Sequence, residues 1–91
     1  MSEAAGPGMA NVLLLNDDVT TMEFVVRVLE SVFGKTYDEA LKLVVEVHHA
    51  GRAECGIYPV EQASAIVAQV AALANRNGYP LRCIAEPSPR T

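Results

Sequence analysis

The chain has few cysteines, little positive charge and no long apolar run, and each shortage removes a class of protein. Two cysteines, Cys55 and Cys83, in 91 residues are too few for a disulfide framework and lack the close spacing of zinc ligands. They read as two small buried apolar residues, and a reducing cytoplasm is the expected compartment. Lys and Arg number 7 against 11 Asp and Glu, a net charge of −4, and they form no cluster. Without a basic stripe nothing draws in a phosphate backbone, so nucleic acid is not an expected partner. No apolar run approaches the roughly 18 residues of a membrane span. Met1 to Gly8 carry no positive charge ahead of an apolar core, so neither a membrane anchor nor a secretory signal is expected. Phosphate loops, metal-ligand spacings, internal repeats and low-complexity tracts are also missing, and no cofactor is expected.

What is present is an ordinary core. The composition is 51% hydrophobic, enough for one compact domain that buries roughly 65% of its unfolded surface. Residues 1–9 read as a flexible tail, 10–86 as the domain and 87–91 as a loose C-terminal tail. Asn11 to Leu15 is a strand candidate whose four consecutive apolar residues call for cover on both faces. Thr20 followed by Glu23 has the form of a capping box, and Met22, Val25, Val26, Leu29 and Phe33 follow at helical spacing before Gly34. Thr36 and Glu39 repeat the device, with Ala40, Leu41, Val44, Val47 and His48 on one stripe and Gly51 as the stop. Ala53 to Tyr58 is a second strand. Pro59 suits the first turn of a third helix, whose apolar face is Ala63, Ile66, Val67, Val70, Ala71 and Ala74. Leu81 to Ala85 is a third strand. The order β-α-α-β-α-β predicts an α+β domain, a small three-stranded and largely antiparallel sheet packed against three helices.

Two polar clusters interrupt this apolar pattern. Asn16-Asp17-Asp18 follows the first strand, and His48-His49 closes the second helix. Taken alone, the first is a common turn cluster and His48 a half-buried histidine at a helix end. Taken together they offer more. An α-ammonium group presents three N–H donors, and the Asn16 carbonyl oxygen, the Asp18 carboxylate and a neutral His48 nitrogen can each accept one. Asp18 also offsets the charge. Met22 and Val25 on one helix, and Val44 and Val47 on the next, supply apolar walls, although each is equally a plain core residue.

Three blocks resemble the ClpS family. They are Val12-Leu13-Leu14-Leu15-Asn16-Asp17-Asp18 with Thr20 and Met22-Glu23-Phe24-Val25-Val26, then Val47 through Tyr58, then Gly78-Tyr79-Pro80-Leu81-Arg82-Cys83 with Glu86-Pro87. The resemblance implies a small α/β adaptor of the N-end rule. Such a protein binds the free N-terminal Phe, Tyr, Trp or Leu of an N-degron substrate and delivers it to an AAA+ unfoldase, ClpA or ClpC, working with ClpP. On that resemblance the α-amino group is held at Asn16, Asp18 and His48, with Asp17 shaping the loop. The first side chain is received by Leu14, Leu15, Thr20, Met22, Val25, Val44, Val47 and Leu81, with Met22 as a gate against β-branched residues. Glu61 matches an acidic residue of the unfoldase-docking surface. The chain is expected to act as a monomer.

Four positions depart from the family pattern. Val19 stands where an aromatic is common, Thr21 replaces a proline, Val44 replaces a methionine and Ile66 replaces a basic residue. Valine is shorter than methionine, so the pocket is expected to be roomier and to favour aromatic over leucine N-termini. The N-terminal tail is shorter than the family's extension. Two other classes remain to be weighed. One is an enzyme using Asp17, Asp18 and His48, for which no serine or cysteine nucleophile is placed nearby. The other is a regulatory docking domain of the same fold that modulates an unfoldase without reading N-termini.

Overall fold

The computed structural model describes residues 8–88. Its elements are β1 (Met9–Leu15), α1 (Met22–Ser31), α2 (Tyr37–Ala50), β2 (Arg52–Pro59), α3 (Val60–Arg76) and β3 (Arg82–Pro87). This is the expected α+β order. The sheet runs β2-β1-β3 and both pairings are antiparallel. Glu86 and Pro87 extend the last strand beyond its expected end at Ala85, and the N–H of Ser88, just past it, donates to the carbonyl of Met9 at 3.1 Å. Met9, expected in the N-terminal tail, is the first residue of β1, and residues 1–7 and 89–91 of the expected tails lie outside the described residues.

β1 is central because its residues are apolar on both faces. Ala10, Val12 and Leu14 join the main core cluster with residues from all three helices. Leu13 points to the opposite face yet is only 1% exposed. Its cover comes from the edge strands. Arg52 on β2 bonds Glu86 on β3 at 3.3 Å, and the register places Arg52 opposite Leu15 and Glu86 opposite Asn11. The ion pair therefore passes diagonally over Leu13. A surface pair of this kind contributes only about 0–1 kcal/mol, so its packing matters more than its charge.

The helix starts show one agreement and one correction. Thr36 and Glu39 form the expected reciprocal box on α2. On α1 the expected box of Thr20 and Glu23 does not form. Thr21 is the cap and accepts the Phe24 N–H at 3.1 Å, because Thr20 is drawn back into the loop by Asp17. The buried face of α1 turns with it: Phe24, Val25, Val28 and Leu29 are buried, whereas Met22 is 58% exposed. That rotation is about one residue, or roughly 100°. Its cause is a partner remote in sequence, since the Phe24 ring packs on Tyr79 with centroids 4.7 Å apart. In α3 Ala63, Ile66, Val70 and Ala74 are buried as expected, while Ala71 is exposed. Pro59 is the cap before α3 and not its first residue.

Candidate functional site

Asn16 is the first residue past β1. Its N–H donates to the carbonyl of Gly51 at 2.9 Å. Gly51 ends α2 with φ 87, a left-handed turn that only glycine makes without strain. That one bond ties the end of β1 to the end of α2. His48 lies three residues before Gly51, in the last helical turn, so the register of the sheet delivers it to the Asn16 loop.

Asp17 builds the loop. Its Oδ1 accepts from Val19 N–H at 2.8 Å and Thr20 N–H at 2.6 Å, and its Oδ2 accepts from the Thr20 hydroxyl at 2.8 Å. Burial pulls its pKa up, but the bonds from Thr20 and Val19 outweigh this and hold it below the ordinary carboxylate value. Asp17 is thereby engaged by its own loop. Asp18, exposed beside it, takes no part in that network. An unfolded aspartate titrates near 3.9, so the contribution of Asp17 to stability is complete above about pH 4 and is lost as pH falls through its lower folded value. Asp17→Ala is expected to lower stability by about 1 kcal/mol at pH 7, as loss of a helix cap does, and by less at pH 3. Denaturant midpoints of the two proteins at both pH values check this.

Between this loop and the two helices lies a hollow of about 270 Å³ lined by Asn16, Asp17, Asp18, Thr20, Met22, Val25, Val44, Val47 and His48. The structure thus brings together nine of the residues named from the sequence. Val25, Val44 and Val47 form a floor that is itself part of the core. Asn16, Asp18, Met22 and His48 are exposed at the mouth, and the His48 ring stands edge-on to His49 with centroids 5.4 Å apart. Taken alone His48 reads as half-buried, whereas the structure exposes it. As an exposed residue it is free to meet a ligand.

Three residues expected in the wall are elsewhere. Leu14 and Leu81 are buried in the cluster behind Val25, Val44 and Val47. Leu15 alternates to the other face of the sheet, opposite Arg52 and Arg82. Glu61 is exposed at the start of α3, which follows Pro59, the partner of Met9 at the far end of β1. A seven-residue strand separates the two places, on the order of 20 Å. Sequence reasoning missed the brace at the start of α1. There the Thr21 hydroxyl reaches the Tyr79 hydroxyl at 3.4 Å and Phe24 packs on the Tyr79 ring. Beyond its place in a resemblance block, Gly78-Tyr79-Pro80 reads locally as a helix stop, and no local pattern links Tyr79 to α1.

The arrangement has acceptors on one side and hydrocarbon on the other. At about 270 Å³ it falls just below the roughly 300–1,000 Å³ of typical small-molecule sites, a size suited to one side chain. Among the described residues no three His, Cys, Asp or Glu gather as a metal site, and no helix is long and apolar enough to cross a membrane.

Fold and hollow together define a small α+β binding domain. The family model described as "ATP-dependent Clp protease adaptor protein ClpS" matches residues 5–84, and the chain belongs to the ClpS family of Clp protease adaptors. It is 54% identical over 84 residues to the ClpS adapter of Nitratidesulfovibrio vulgaris strain Miyazaki, covering 92% of this chain and 84% of that one. It is 49% identical over 86 residues to that of Deinococcus radiodurans, covering 94% and 76%. The solved structure of Agrobacterium tumefaciens ClpS2 bound to L-phenylalaninamide superposes with a TM-score of 0.86 at 32% identity, covering 89% of this chain and 98% of that one. The resemblance carried by the three sequence blocks is therefore borne out.

Proposed function

We propose that the chain binds the free α-amino group and the large hydrophobic first side chain of N-degron substrates, Phe, Tyr, Trp or Leu. It then delivers them to an AAA+ unfoldase, ClpA or ClpC, for degradation by ClpP. The observation that carries this reading is the juxtaposition of Asn16, Asp18 and His48 at the mouth of a hollow floored by Val25, Val44 and Val47. The ligand of the Agrobacterium tumefaciens relative, L-phenylalaninamide, has the same two parts, a free amine and one apolar side chain.

In physical terms two tests are applied together. Three bonds to an ammonium group contribute about 5–9 kcal/mol gross, and burying the side chain about 1.5–3 kcal/mol. Association costs at least about 4 kcal/mol. The remainder corresponds to affinities no tighter than about micromolar, which suits a carrier that must release its cargo. Tethering to an unfoldase then raises effective concentration without new contacts. Glu61, at the far end of the sheet, leaves the hollow open while it faces the unfoldase. Burial pushes the Cys55 thiol up to about 11 and the Cys83 thiol up to about 12, so neither is a ready nucleophile. This supports binding without turnover. The protein acts as a monomer in the cytoplasm.

Titration with Phe-initiated and Gly-initiated peptides tests the reading. Both present an amine but only one fills the hollow, so Phe is expected to bind at least tenfold tighter. Equal binding would remove the pocket from the account.

Loss of one acceptor is expected to weaken binding. A neutral imidazole nitrogen of His48 offers the amine one lone pair, which alanine cannot replace. His48→Ala is expected to weaken binding of a Phe-initiated peptide about tenfold or more. Isothermal titration of the two proteins decides it, and unchanged affinity would remove His48 from the site.

A further inference from the structure

The hollow is not the end of the apolar surface. Met22 forms its rim and also the rim of a second depression of about 320 Å³ between α1 and α2, which Val26, Tyr37 and Leu41 help to line. On α2, Tyr37, Leu41 and Val45 succeed one another at four-residue steps and His48 follows three later, so all four lie on one flank of the helix. The first three are apolar or aromatic and are 59%, 37% and 51% exposed. Soluble domains scatter such residues singly, and a contiguous row of them marks a contact surface. The row leads from the amine-binding corner at His48 away along the helix.

We propose that the polypeptide whose first residue fills the hollow continues over Met22 into the α1–α2 groove, and that its second to fifth residues dock there through apolar side chains. This rests on N-terminus recognition at the hollow. Its grounds are continuity and length. A cargo chain must leave the hollow, and the groove shares a wall with it at Met22. Eleven residues separate Tyr37 from His48 on α2, about 16 Å of helix, which an extended chain crosses in about five residues. The charged residues beside the groove, Glu23, Arg27 and Glu30, carry both signs. Selection there is accordingly by apolar contact and not by charge. The adaptor then grades its cargo twice: the first residue decides whether binding occurs, and the next few decide how long it lasts.

The test uses the full chain, isothermal titration and three ligands: L-phenylalaninamide, a peptide of Phe followed by four Gly and Ser residues, and one of Phe followed by alternating Leu and Ala. The Leu/Ala peptide is expected to bind about tenfold tighter than the Gly/Ser peptide. Tyr37→Ser combined with Leu41→Ser is expected to erase that gain while leaving L-phenylalaninamide affinity unchanged. Both side chains are exposed, so the variant keeps its core. Equal affinity of the two peptides, or a gain that survives in the variant, overturns the groove while leaving the hollow intact. No binding of L-phenylalaninamide by the unaltered protein instead sinks N-terminus recognition, and the groove proposal with it. Sedimentation adds a last arm: concentration-dependent dimers that vanish in the variant would give the groove to a second copy of the chain and overturn the proposal.

Discussion

N-acetylation of a Phe-initiated peptide is expected to abolish its binding, a loss of at least a hundredfold. The acetyl group leaves the phenyl ring untouched but removes the positive charge and two of the three N–H donors. Asn16, Asp18 and His48 are three acceptors converging on one place, and bonds to a charged donor contribute about 1.5–3 kcal/mol each. Losing two of them costs at least about 3 kcal/mol, and Asp18 then also faces a neutral amide. Asp18→Ala is expected to act in the same direction on the free peptide, while Asp17→Ala acts mainly through the loop it holds. Competition of acetylated against free peptide for a labelled Phe-initiated peptide measures the effect. An acetylated peptide that competes equally well would move the contact away from the amine.

Leu14→Ala is expected to produce the largest loss of stability, about 2–5 kcal/mol. The side chain is fully buried on the central strand, in the cluster shared by the sheet and all three helices. For a domain of this size each kcal/mol lowers the melting temperature by about 4–8 °C, so a fall of 10 °C or more is expected in a calorimetric or circular dichroism melt. The same variant tests what Leu14 does. The resemblance places it in the wall of the side-chain pocket, whereas the structure places it behind that wall. If it is core, the ratio of Phe to Leu affinities stays unchanged at temperatures where the variant is folded. A changed ratio with unchanged stability would return Leu14 to the pocket surface.

Much of the site was legible because its parts sit at element boundaries, which local chemistry marks well. Asn16, Asp17 and Asp18 end an apolar run. Thr36 with Glu39 and Gly51 bound α2, and that fixes His48 in its last turn. The valines of the floor obey helical periodicity. The misreadings have separate causes. Thr20 and Thr21 are adjacent candidates for the same cap, and only the competing bonds from Asp17 decide between them. Met22 has the spacing of a core residue, yet it faces outward because α1 is turned by Phe24 meeting Tyr79, and Leu41 on α2 is likewise exposed despite its core spacing. Leu15 belongs to the same apolar run as Leu14, but alternation along a strand sends neighbours to opposite faces.

Residue order alone was sufficient for the elements and the class of fold, and it named the groups proposed to hold an amine. Caps, periodicity and turn chemistry act within a few residues, and their signals survive in one dimension. Whether Asn16 meets His48, which leucines line the hollow, and whether the hollow opens onto the α1–α2 groove were decided by packing. Those outcomes depend on the bond from Asn16 to Gly51, the pairing of β1 with two partners and the contact of Phe24 with Tyr79. Each joins residues dozens of positions apart, and no local preference specifies them.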